Sequence, residues 1–419
     1  MTRKKIIAIV AVALAVLVGV GIVVANLIKS DDEIAGKGVS TFPLPIEAKV
    51  PDGLKVGVVY SLTGDPLVES SYLRSAEGMQ VANYRLAEGG SDIEIIPVDD
   101  RGTVEGAQRA VDDLENQGVG AIIVGTAGPH TSAIADAARG AGIPAIFPYE
   151  ADAVSTADGV WTMGANKTTA ANMLGKELTD RGYAENLVID FDGSLADIPN
   201  AKYMTYDENT DFVELGDEIF QVFMDEELNL DAIVINGPST FESNILSEIQ
   251  SRAITVPVFF TNHADAPAFI DRLRSEGVLF GDFTTLGLPS VDMVALKADR
   301  SGGAAAVFFT AIRLMDDAGM RNLLDEATFA ESKDYADGLS HDALVAIASA
   351  AADAKSVEPA DIEQSLTGLE ITTADGTVLG TTTFGATGVE SELMSVLRAS
   401  TQDPNLRESS TPLMFWFAQ

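Results

Sequence analysis

The sequence predicts an α/β protein whose body forms two lobes with a hinge, each lobe a doubly wound parallel sheet. Two observations carry this expectation. Short β-branched runs alternate with segments of helical periodicity from residue 54 onward, and a second series of the same kind begins after Trp161. Strands that alternate with helices return through right-handed crossovers, which build parallel sheets covered on both faces. With 419 residues, 46% of them hydrophobic, the chain has the length and the apolar content for two or three such units.

The elements follow in order. Residues 6–25 contain only Ile, Val, Leu, Ala and Gly, about the 20 residues a helix needs to cross a bilayer. Arg3, Lys4 and Lys5 precede this run and Asp31, Asp32 and Glu33 follow it, which places the amino terminus inside and the body outside the cell membrane. A retained transmembrane anchor over residues 1–28 is expected; the alternative is a signal peptide cleaved at Val23-Val24-Ala25. Residues 29–53, with Phe42-Pro43-Leu44-Pro45 among them, read as a tether. Lobe one is expected over 54–160. It comprises a strand over 54–60, a helix over 68–87, a strand over 93–98, a helix over 104–117, a strand over 121–124, a helix over 131–139 and a strand over 145–147. Tyr72, Ala76, Met79, Ala82 and Leu86 lie on one face of the first helix, which the pair Gly89-Gly90 ends.

Lobe two is expected over 161–285. Its helices are placed at 168–181, 216–229, 241–252 and 266–276, and its strands at 187–191, 232–235 and 258–260. The interval 194–215 is broken by Pro199 and crowded with Tyr203, Tyr206, Asp207, Glu208, Asp211 and Glu214, so this lobe reads as abbreviated. Residues 286–419 are expected to complete both lobes, with helices over 304–318 and 342–354 and a hairpin over 369–384 around Asp375-Gly376. Trp161 reads as core near the lobe crossover, Trp416 with Phe415 and Phe417 as a terminal strand or partner contact, and His341 as a group packing between the lobes.

Charge removes whole classes of function. Against 63 Asp+Glu stand only 27 Lys+Arg, for a formal net charge of −36 at pH 7, and a phosphate backbone is bound by the residues this chain lacks. No nucleic-acid partner is expected. With no Cys there is no disulfide, no thiolate nucleophile and no Cys-based zinc site. Three histidines, His130, His263 and His341, stand at no metal-ligand spacing. Asp190-Phe191-Asp192-Gly193 lacks the further ligands of a calcium loop and reads as a strand end and turn. There is no Gly-x-Ser-x-Gly elbow and no Walker loop, and Gly19 and Gly21 lie inside the apolar run where they cannot cradle a phosphate. No catalytic residue, metal or cofactor is expected.

In doubly wound sheets, ligands sit at the carboxyl ends of strands. Three loops of lobe one lie there: 61–65, 126–132 and 148–152. Together they support a cleft, with Tyr149 and Glu150 its best candidates. The order of Lys55-Val56-Gly57-Val58-Val59-Tyr60-Ser61-Leu62-Thr63-Gly64, Ala76-Glu77-Gly78-Met79-Gln80-Val81-Ala82, Ile122-Ile123-Val124-Gly125 and Gly142-Ile143-Pro144-Ala145-Ile146 resembles a known family. His341-Asp342-Ala343-Leu344 and Leu366-Thr367-Gly368 with Gly380 and Phe384 extend the match toward the carboxyl end. The family is the type I periplasmic-binding-protein-like fold, in its branched-chain amino acid binding group of ABC-transporter substrate-binding proteins.

The resemblance implies two lobes joined by crossing strands, a small-molecule ligand captured by hinge closure, a transporter or receptor as partner, and no enzymatic activity. It implies ligand contacts at Ser61, Thr63, Gly128, Thr131, Tyr149, Glu150, His263 and Asp265. In amino-acid binders of this group, hydroxyl side chains of the second and third cleft loops hold the ligand; those places fall here on Gly128 and Ala151. The family's lobe-two aromatic and carboxylate correspond to Asp192-Gly193-Ser194 and Asn262-His263-Ala264-Asp265, where Asp265 supplies an acid. Two functions are therefore open. One is a membrane-tethered solute-binding protein; the other is a degenerate fold serving as an accessory subunit of a cell-envelope membrane complex.

Overall fold

In the computed structural model, β1 (Lys55–Tyr60) buries every side chain after Lys55, as an apolar β-branched run must when both faces of its sheet are covered. The structure describes residues from 42 onward, except 64–71, 73–74, 151–152, 156, 165–166, 196–197, 199, 226–228, 277–280, 289, 387, 392–394, 403–405, 408–413 and 419. The expected anchor lies outside the described residues, and among these no helix is long and apolar enough to cross a membrane. β2 (Glu94–Asp99), β3 (Ala121–Val124), β4 (Ala145–Phe147) and β5 (Val160–Thr162) join β1 in an all-parallel sheet of order β2-β1-β3-β4-β5.

One face of this first sheet packs Val56, Val58 and Ile123 against Met79 and Leu86 of the helix Glu77–Glu88 and Leu344 and Ile347 of the helix Gly338–Ala354. The other face sets Val59, Ile122 and Val124 against the helices Val104–Gln117 and Thr131–Ala141. The start of the first of these helices is fixed by Thr103, whose side chain accepts from the Gly106 amide, and its end by Gly118 in the left-handed region at φ 70°. Trp161 lies in β5 and donates from Nε1 to the Gly385 carbonyl at 3.0 Å. Ile46 and Val50, within the expected tether, are buried in this core, and the Ile46 amide donates to the Arg85 carbonyl. The chain thus joins the folded body before residue 54.

The second sheet is built from β6 (Asn186–Phe191), β7 (Ala201–Tyr206), β8 (Ala232–Asn236), β9 (Val258–Phe260), β10 (Phe283–Gly287), β14 (Ser395–Ser400) and β15 (Phe415–Ala418), in the order β15-β14-β10-β9-β8-β6-β7. β14 runs antiparallel to β10, and β15 antiparallel to β14. Trp416 on β15 is buried and donates from Nε1 to the Ala264 carbonyl. A small antiparallel sheet of β11 (Leu369–Ile371), β12 (Thr382–Gly385) and β13 (Gly388–Ser391) packs on lobe one, where Ile371 and Phe384 join its core. The chain passes to lobe two after β5, returns to lobe one after β10, and crosses again before β14.

Three departures from the sequence expectation have physical reasons. The interval 194–215 holds a strand after all: β7 pairs in parallel with β6 in full register. Its exposed edge pattern, with Lys202 and Tyr203 facing solvent, lacks the apolar run of a central strand. Among the described residues no helix, the usual link between parallel neighbours, joins β6 to β7; a turn through Asp192 and Gly193, both at positive φ, begins the short connection instead. Helices also start away from their expected places: Phe212–Phe223 begins early because Asp211 caps it, and Gly338–Ala354 begins at the Asp337 cap. Finally, His341 is not at the lobe boundary in an open setting but wholly buried, between Arg85 and Asp342 and edge-on to Phe308.

Candidate ligand-binding site

The strand-end loops of lobe one are tied together by Ser61. Its hydroxyl lies 2.8 Å from Asp100 Oδ1, 2.9 Å from Thr126 Oγ1 and 3.2 Å from His130 Nε2. His130 Nε2 is also 3.1 Å from Asp100 Oδ2. One buried hydroxyl thus joins the loops that follow β1, β2 and β3. Thr63 is exposed, and its hydroxyl and amide both donate to Asp99.

Gly128, Thr131 and Glu150 come together at the start of the helix Thr131–Ala141. The Glu150 carboxylate, itself buried, accepts from the Gly128 amide at 3.0 Å, the Thr131 hydroxyl at 3.3 Å and the Ala153 amide at 3.1 Å. A helix start offers unpaired N–H groups and partial positive charge to an anion, and here the anion is a side chain of the chain itself. Ala151 lies outside the described residues.

Between the lobes is a cavity of about 410 Å³ whose wall includes Tyr72, Tyr149 and Asp337 from one side and Asn262, Asp265 and Gly287 from the other. Tyr72 and Tyr149 stack face to face, with centroids 4.4 Å apart. The Tyr149 hydroxyl donates to Asp337 Oδ2 at 2.9 Å, which also accepts the Ser340 hydroxyl at 2.6 Å. Asp337 Oδ1 accepts the Ser340 amide at 2.8 Å, capping the helix Gly338–Ala354. Its backbone is held by close approach: a Cβ on Gly78 would stand 1.9 Å from the Asp337 carbonyl oxygen. Across the cavity, Asp265 ends the 3-10 turn Asn262–Asp265 and lies along β10, where a Cβ on Gly287 would come within 2.7 Å of its Oδ2. His263 stands in the same turn but, among the described residues, does not line the cavity.

The electrostatics follow from burial. Both acids are half-buried and line the cavity. Desolvation raises Asp337 to about 6. Desolvation and the Asp337 charge raise Asp265 to about 8. Burial also pushes up Glu242, which accepts the Thr261 hydroxyl at 3.0 Å with one oxygen. The tyrosines Tyr72 and Tyr149 are raised by burial and keep their protons as donors.

A pH dependence results. An acid whose folded pKa lies above its unfolded value holds a proton that the unfolded chain releases, so stability falls as pH rises from the ordinary carboxylate range through the folded value. For the ligand-free protein, Asp265 is expected to remove stability between about pH 4 and pH 8. Urea midpoints of the parent and Asp265→Asn at pH 5 and pH 8.5 check this. The variant should lose less over the interval, and an identical loss in both proteins contradicts the assignment.

Tyr72 and Asp337 were not legible as site residues. Tyr72 reads as one more apolar position on a helix face. The signal for Asp337 is the pattern Asp337-Gly338-Leu339-Ser340, an Asp placed as a helix cap, which an expected helix start at residue 342 conceals. Gly287, Arg407 and Trp416 reach the cavity from segments distant in sequence, and no local pattern announces them as site residues.

A family model described as periplasmic binding protein matches residues 53–403. Comparison with curated protein sequences finds no match. Among solved structures, the leucine binding protein LivK of Thermotoga maritima is similar at 16% identity and TM-score 0.62, over 87% of this chain and 98% of that one. The substrate binding protein LivJ of Streptococcus pneumoniae, in complex with isoleucine, is similar at 16% identity and TM-score 0.62, over 87% and 99%. A solute binding protein of an ABC transporter from Rhodopseudomonas palustris, in complex with 3,4-dihydroxybenzoic acid, is similar at 14% identity and TM-score 0.64, over 87% and 96%. At these identities the likeness is one of fold.

Proposed function

The chain belongs to the periplasmic binding protein family, and from that premise we propose that it is a membrane-tethered solute-binding protein that captures a small polar ligand between its lobes for an ABC-type transporter. The family is one of extracytoplasmic binding proteins and not of enzymes. The observation that carries the proposal is the interlobe cavity of about 410 Å³ with its converging polar groups, a volume in the usual range for small-molecule sites. Of the structural relatives, one is a leucine binding protein, and two, in complex with isoleucine and with 3,4-dihydroxybenzoic acid, are described as substrate- or solute-binding proteins of transporters. The apolar run over residues 6–25 supplies the tether. On this reading the ligand touches Tyr149 and Asp265, which line the cavity, while Ser61 and Thr131 hold the loops through their hydrogen bonds.

Thermal unfolding of the purified full-length chain against amino acids, amines, small carboxylates, amides and sugars tests this. A ligand at about 100 times its Kd stabilises by about 2.7 kcal/mol, a clear rise in Tm. No rise with any class on well-folded protein would overturn the proposal in favour of an accessory subunit without a ligand.

A further inference from the structure

We propose that the ligand is a small organic cation that carries no carboxylate, such as a primary amine with an apolar body. The inference rests on the solute-binding reading and deepens it. Its first support is Glu150. The start of the helix Thr131–Ala141, whose N–H groups could otherwise receive a carboxylate, is filled by the Glu150 carboxylate, which takes the Gly128 amide and lies against the Thr131 hydroxyl. A second carboxylate brought there meets a like charge in a poorly hydrated place, at a cost that rises as water is excluded.

The second support is the cavity wall itself. Asp265, Asp271, Asp292, Glu331, Asp334 and Asp337 line it, against Arg274 and Arg407 as the only basic side chains among the described residues. Arg407 is committed to Asp292 and to the carbonyls of Lys333, Asp334 and Ala336, and Arg274 lies 3.5 Å from Asp271. The Asp337 charge also bears on Arg407 through space, but the ion pair of Arg407 is with Asp292. Asp265 and Asp337 share one cavity across the lobes, and Oε2 of the fully buried Glu242 has no hydrogen-bond partner. The cavity wall thus presents more carboxyl groups than basic side chains.

The third support is the stacked pair Tyr72 and Tyr149 on the same wall. Aromatic faces attract ammonium groups, more strongly when water is excluded. The Tyr149 hydroxyl donates to Asp337, which sets the stacked pair beside that carboxyl group. An ammonium between Asp265 and Asp337 would let both acids ionise, and because each belongs to a different lobe it would draw the lobes together.

Isothermal titration of the full-length chain with 3-methylbutylamine, leucine and 4-methylpentanoate separates the charges on closely matched hydrocarbon bodies, and cadaverine against lysine repeats the contrast with a second cation. The amines should bind about a hundredfold more tightly than the amino acids, and the carboxylate should give no heat. Asp265→Asn and Asp337→Asn should each weaken amine binding by about tenfold or more, and asparagine at 337 still caps its helix. Leucine or 4-methylpentanoate binding as tightly as the amines would overturn the inference, as would amine binding indifferent to both substitutions. If only an uncharged amide or sugar binds, the cation inference falls and the solute-binding reading stands. If nothing binds to folded protein, both fall.

Discussion

Replacing Asp342 by alanine is expected to destabilise the protein by about 3–5 kcal/mol, the cost of stripping a buried charge of its partner. Asp342 has no exposed surface. Its Oδ1 lies 2.8 Å from His341 Nδ1 and accepts the Val378 amide at 2.9 Å, while Oδ2 accepts the Leu379 amide at 3.0 Å. On the far side of the imidazole, Arg85 Nη1 is 3.0 Å from His341 Nε2 and also donates to the Gly376 carbonyl. A guanidinium can only donate, so His341 accepts at Nε2 and donates from Nδ1 to the carboxylate, as a neutral ring. Burial lowers the His341 pKa, which agrees with that state. Burial also lowers Arg85 to about 10, with the Asp342 charge opposing the fall.

Alanine at 342 therefore leaves a guanidinium without its counter-charge and two amides without acceptors. Such a loss is a large share of the roughly 5–15 kcal/mol that holds a domain folded. Urea unfolding should show a markedly lower midpoint for Asp342→Ala and a smaller decrease for Asp342→Asn, which keeps an acceptor but not the charge. Equal midpoints for parent and Asp342→Ala would show that the network contributes nothing.

A loss of similar size, about 3–5 kcal/mol, is expected for Asp292→Ala. Arg407 reaches Asp292 with Nη2 at 2.8 Å and Nε at 3.1 Å, and its other donors go to the carbonyls of Lys333 and Ala336 at 2.8 and 2.9 Å. The rings of Phe308 and Phe309 lie 5.9 and 5.3 Å from its guanidinium carbon. One side chain thus binds the carboxyl-terminal segment to the helix Val291–Ala295 and to the stretch leading into Asp337. Removing the carboxylate leaves the cation stranded, whereas exchanging both partners in Asp292→Leu with Arg407→Met should recover much of the loss. A double-mutant cycle read by urea unfolding checks this. Additive losses would mean that the two side chains act independently.

Much of the fold was legible because its central strands are buried on both faces. Residues 121–124, 145–147 and 258–260 are apolar runs that admit one interpretation, and the structure has strands in those places. β7 was not legible because it is an edge strand with a polar exposed side, and β14 was not because it enters the second sheet from far along the chain; residues 415–417 read as a terminal strand or partner contact, but their pairing with β14 did not follow from sequence. The candidate site divides the same way. Tyr149, Glu150 and Asp265 follow strands that the sequence announces; Tyr72, Asp337 and Arg407 are brought to the cavity by packing between segments hundreds of residues apart. Glu150 shows a further limit. Sequence places it at the cleft but cannot tell whether its carboxylate faces a ligand or, as here, the loop's own amides.

The repeated crossing of the chain between the lobes also sets the order in which the protein can be made. The face of the first sheet that packs on Met79 and Leu86 is completed by Leu344, Ile347 and Ala351, so the strands synthesised first have a half-covered apolar side until most of the chain exists. Contacts of such long range are slow to form, because a large loop must close before any of them gives stabilisation. A chain interrupted after residue 287 holds every parallel strand found among the described residues and can finish neither lobe. For a body that must cross a membrane before it folds, this late closure keeps the polypeptide threadable throughout its passage.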